Sequence, residues 1–79
     1  MAAQAFSVTT AAWASAGTIC QVVGAGFSIP EAVRIGIEDN QALWSTEMRH
    51  PAFQQLLVSE VVRQCPNLLR SVSSGGLQP

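Results

Sequence analysis

Gly24-Ala25-Gly26-Phe27-Ser28-Ile29-Pro30-Glu31 is the stretch that decides the fold. It holds a helix stop followed at once by a helix start. Glycine accepts the left-handed backbone of a C-terminal cap at little cost, so the Gly24-Ala25-Gly26 run ends whatever helix precedes it. Ser28 and Glu31 then stand at the spacing of a capping box. The Ser28 hydroxyl is placed to accept from the amide near Glu31, Glu31 to reach back, and Pro30 sits in the first turn, where no amide donor is needed. Phe27 occupies the position of a hydrophobic staple toward Ala32 or Val33. A helix, a tight turn and a second helix follow from these eight residues.

Upstream, Ala12, Trp13, Ala16, Ile19, Cys20 and Val23 recur at spacings of three and four, which predicts a first helix over 10–23 with Thr9 or Thr10 as its cap. The small residues Ala12, Ala16 and Gly17 allow a second helix to come close. Downstream, Ile29, Val33, Gly36 and Ile37 form the apolar side of the second helix. Glu31, Arg34 and Glu38 form a salt-paired exposed side, and Asp39-Asn40 is expected to end the helix. The segment 41–50 reads as a further short helix, in which Leu43 and Trp44 are a candidate partner surface. Pro51 is expected to open the last helix, whose core face is Phe53, Leu56, Leu57, Val61 and Cys65. Pro66 stops or kinks it, and Leu68-Leu69 adds a final turn.

The fold class expected is all-α, a small bundle of three to four helices with one disulfide. Residues 10–70 form a single helical domain, preceded by a flexible extension over 1–9 and followed by a flexible Ser/Gly-rich tail over 71–79. A chain of 79 residues, 48% hydrophobic and 11% charged, has room for one core and is too apolar to be disordered.

Cys20 and Cys65 are the only cysteines. Each falls on the apolar side of a predicted helix, and a bridge between them would tie the first helix to the last; antiparallel packing of the two would bring the apolar stripes together. The alternative reading is a pair of buried cytosolic thiols, since cysteine also packs as a small hydrophobe. Neither cysteine has a partner at the spacing of a zinc site, with His50 the sole histidine, so no metal ligands are assigned. Cys20 lacks a basic neighbour to stabilise a thiolate, and His50 reads as an exposed residue before a proline. Capping accounts for Glu31, pairing with Arg34 for Glu38, and the field near a helix start for Glu47. No catalytic residue and no cofactor is therefore expected.

Four arginines, no lysine and a net charge of −1 leave no basic stripe for phosphates. The helix-turn-helix over 19–37 would present Glu31, Glu38 and Asp39 against Arg34 alone, a face that repels a duplex. Nucleic acid is excluded as a partner on that ground. Every charged side chain lies between Glu31 and Arg70, and the uncharged stretch 8–29 has the length of a membrane span. Gln21, the glycines, and the absence of flanking cations or interfacial tyrosine argue against that reading.

Taken together, Cys20, the Gly26-Phe27-Ser28 turn, Glu31-Ala32, Phe53, Val61-Val62 and Cys65-Pro66 give the chain a resemblance to a family of small exported actinobacterial proteins of unknown function. The similarity covers about residues 17–66. In that family a cysteine of the first helix is joined to a terminal Cys-Pro by a disulfide across a helical fold. The resemblance thus implies the Cys20–Cys65 bridge and a secreted, periplasmic or envelope location, with a signal lost ahead of Met1. The uncharged amino-terminal segment and the long 40–50 connection depart from the family pattern. The function expected is non-enzymatic, a disulfide-stapled helical protein acting by binding an unknown protein or apolar ligand. The alternative is a cytoplasmic or membrane-associated small subunit whose uncharged first helix docks on a larger protein.

Overall fold

The computed structural model describes residues 2–67, which form three α-helices: α1 (Ala2–Gly24), α2 (Ile29–Met48) and α3 (Phe53–Gln64). Among the described residues there is no strand. The tail over 71–79 and the final turn at Leu68-Leu69 lie outside the described residues. Helix α1 starts at Ala2, eight residues before the expected position, and Val8 within that added stretch is fully buried.

Helix α1 is the centre of the bundle. Val8, Ala11, Ala12, Ser15, Ala16 and Ile19 are buried along it at successive spacings of three, one, three, one and three, the pattern of one helical face. It packs against both other helices, whereas α2 and α3 meet each other only slightly. Ala32 from α2 and Phe53 and Leu57 from α3 complete the core, with Val22, Val23, Ile37, Trp44, Met48, Leu56 and Val61 packed around it. Small side chains on α1 permit close approach. At Gly36 of α2 an added β-carbon would lie 2.5 Å from Ile19 Cγ1 and 3.2 Å from the Ser15 carbonyl oxygen.

The α1–α2 turn is the predicted stop and start. Gly26 has φ +107°, its amide donates to the Val23 carbonyl (3.0 Å), and the Phe27 amide donates to the Val22 carbonyl (3.3 Å). These two bonds around a left-handed glycine are a Schellman cap. Ser28 is the N-cap of α2 and its Oγ accepts from the Glu31 amide at 3.4 Å. Two details differ from the expected box. The Glu31 carboxylate turns forward to Arg34 instead of back to Ser28, and Phe27 remains about half exposed, at 51%.

Helix α2 does not end at Asp39-Asn40. Asn40 Nδ2 donates to the Gly36 carbonyl (2.8 Å) and to Thr18 Oγ1 of α1 (3.1 Å), so its amide is satisfied within the helix and across to the neighbour. The chain continues helically to Met48, with a kink at Trp44 (φ −124°, ψ 21°). The expected separate helix over 41–50 is thus the second half of α2. Glu47 consequently lies near a helix C-terminus, not a start. The second helix of a hairpin reverses direction and the third reverses it again, so α3 runs parallel to α1. The antiparallel arrangement expected for the first and last helices belongs to a four-helix reading, and merging two of those helices into α2 inverts it.

Candidate binding face

Cys20, near the end of α1, and Cys65, which caps α3, form a disulfide with α-carbons 6.0 Å apart. Parallel helices bring these two ends together. Gln64, the residue before Cys65, extends the same connection: its Nε2 donates to the Trp13 carbonyl oxygen and to Glu60 Oε1, each at 3.1 Å. Glu60 also accepts from Arg63 at 2.6 Å. That bond first, and the one from Gln64 second, hold the Glu60 carboxyl below the usual glutamate range. The last turn of α3 is fixed to α1 by a covalent bond and by a side chain that reaches a main-chain oxygen.

Beside this clamp lies a shallow, open cleft of about 300 Å³ lined by Trp13, Ala14, Gly17, Thr18, Gln21 and Gln64. Its floor is the outer face of α1. None of its residues is charged, and Trp13 stands 55% exposed at its edge. The sequence pattern assigns Trp13 to the apolar stripe, but it stands about 120° around the helix from Ile19, which lies in the middle of the buried face. That rotation carries the indole out of the core. On the α2 side, the Asn40 to Thr18 bond marks the other border of the cleft.

The sequence-predicted residues divide. Cys20 and Cys65 are brought together, and Ser28 caps α2 as expected. Leu43 is 79% exposed, whereas its neighbour Trp44 is half-buried against the core. Val33, assigned to the buried side, is 38% exposed. Arg34 bridges Glu31 and Glu38, which raises its basicity above the ordinary guanidinium value. Sequence reasoning missed Trp13 as a surface residue and Gln64 as a clamp; the angular offset of Trp13 from Ile19 carried a signal for the first, and nothing local signalled the second.

A second cleft of about 290 Å³ lies at the opposite end of the bundle, lined by Val8, Thr46, Glu47, Arg49, His50 and Pro51. His50 is half-buried there, and its Nδ1 accepts from the Ala52 amide at 3.1 Å. Among the described residues no three His, Cys, Asp or Glu side chains gather as a metal site, and no helix is long and apolar enough to cross a membrane. Comparison with protein-family models, curated proteins and solved structures returns no match.

Proposed function

We propose that this is a non-enzymatic, disulfide-stapled helical binding protein of an oxidising compartment, which engages a protein partner through the uncharged outer face of α1 around Trp13. The observation that supports this reading is the exposed indole beside a neutral, small-residue cleft, clamped by Cys20–Cys65 and Gln64. Aromatic side chains contribute large contact area at low entropy cost and dominate many interfaces. A face with no charged residue also has no ion to desolvate on docking. The resemblance to small exported two-cysteine proteins agrees with the bridge and with a secreted or envelope location.

The test places a photo-crosslinking amino acid at position 13 or, as a control, at the exposed position 55, and expresses each chain in its native host. A discrete adduct from position 13, absent at 55 and re-formed with the purified partner, is the expected result. Identical adduct patterns from both positions contradict the assigned face. Differential alkylation of the same cells addresses the compartment: both thiols modified only after reduction fits the reading, and two thiols modified without reductant fits a cytoplasmic subunit instead.

A further inference from the structure

We propose that His50 is a proton-sensitive latch on the turn that starts α3. Helix α3 has no side-chain cap at its N-cap residue, Ala52. Two bonds join His50 to the start of α3, the Phe53 amide to the His50 carbonyl (3.0 Å) and the Ala52 amide to His50 Nδ1 (3.1 Å), and the His50 amide donates back to the Glu47 carbonyl (3.0 Å). The second bond requires an unprotonated Nδ1, because an imidazolium ring has donors at both nitrogens and no acceptor. A second proton on the ring abolishes the bond to Ala52. It also places positive charge at the N-terminal, electropositive end of α3.

The surroundings decide where a protonated ring goes. From α2 and the turn, Glu47 and Arg49 line the same cleft, while among the described residues α1 contributes Val8 and α3 has no charged residue in its first turn. Among the described residues Glu47, three residues before His50, carries the one carboxylate that lines the cleft, and an imidazolium that turns toward it leaves Ala52. Phe53, 6% exposed in the core, follows directly on the loosened turn. The far end of α3 stays fixed by Cys20–Cys65. Protonation therefore frees the start of α3 while its end remains pinned, a local opening instead of global unfolding.

The experiment is NMR on the oxidised full chain at about pH 8 and about pH 5, the interval over which histidine is the side chain that changes charge. It reads the ¹⁵N shift of His50 Nδ1 and the protection factors of the Ala52 and Phe53 amides, normalised for intrinsic exchange. The expected result is an acceptor-type Nδ1 at the higher pH and a roughly three- to tenfold loss of protection at the lower one, the size of one lost hydrogen bond. Amides of α1 serve as the internal reference. His50→Asn, which keeps an acceptor at the same place without titrating, should hold the turn at both pH values. Equal protection at the two pH values in the wild-type chain, or the same loss in His50→Asn, overturns the proposal.

Discussion

Replacing Gly36 by alanine tests the close approach of α1 and α2 on which the bundle depends. In an exposed helix interior this substitution stabilises by about 0.5–1 kcal/mol, because alanine loses less backbone freedom on folding. Gly36 is fully enclosed, and its new β-carbon would stand 2.5 Å from Ile19 Cγ1, 3.2 Å from the Ser15 carbonyl and 3.3 Å from Ile19 Cδ1. The first of these atoms is the inner part of a buried side chain and the second is helix backbone. Neither can swing aside, so the helices must separate. Overpacking of this kind costs about 1–3 kcal/mol. The difference leaves a net loss of about 1 kcal/mol, or about 4–8 °C in melting temperature for a domain of this size. Gly24→Ala, where the added carbon meets nothing within 4 Å, provides the opposite control and should leave the melting temperature level or raised. The assay is thermal denaturation followed by circular dichroism, completed by a double-mutant cycle with Ile19→Ala. In that background the penalty at Gly36 should shrink, since the obstructing Cγ1 is gone. A Gly36→Ala protein that melts at or above the wild type would refute the packing described for α1 and α2.

Three further outcomes follow from particular bonds. Ser28→Ala should lower stability by about 0.5 kcal/mol, the low end for an N-cap, because its bond to Glu31 is long and solvent-exposed and the reciprocal half of the box is missing; urea denaturation reads this directly. Ser15→Ala should be neutral or stabilising by about 1 kcal/mol, since the buried Ser15 hydroxyl has no hydrogen-bond partner and its removal ends a desolvation penalty; a clear loss of stability in the same assay would disprove it. The Glu60 carboxyl is held below its ordinary range in the folded chain, so the folded state favours the ionised form. Its contribution is present above the unfolded glutamate range and is lost as pH falls through the lowered value, and Glu60→Gln should flatten that part of the stability–pH curve.

Local signals carried much of this fold. The Gly24–Gly26 stop and the Ser28-Ile29-Pro30 start were legible because caps depend on a few adjacent residues, and the structure builds both. The Cys20–Cys65 pairing was legible because both residues follow the helical apolar stripe. What local reading could not reach were effects of tertiary contact. Asn40 has the chemistry of a helix stop, and besides its own-helix bond to the Gly36 carbonyl it is the Thr18 hydroxyl of α1 that lets it sit inside α2. Ending that helix early created a fourth element and reversed the direction of the last. Trp13 was drawn into the core by its hydrophobicity, although the face of α1 that is buried is occupied by alanines, Ser15, Val8 and Ile19. His50 read as an exposed residue before a proline, and it is half-buried because its ring turns to the Ala52 amide, an orientation that sequence does not encode.

The central claim is that a disulfide pins the parallel ends of α1 and α3, and thiol titration with calorimetry on the same native sample tests it most directly. The bridge spans a sequence separation of 45, for which the chain-entropy estimate is about 4 kcal/mol at most. No thiol should react before reduction and two should react after it. Reduction should lower the melting temperature by about 10 °C or more, given the size of the constrained loop. Two thiols titrating in the native protein, or an unchanged melting temperature after reduction, would contradict the account.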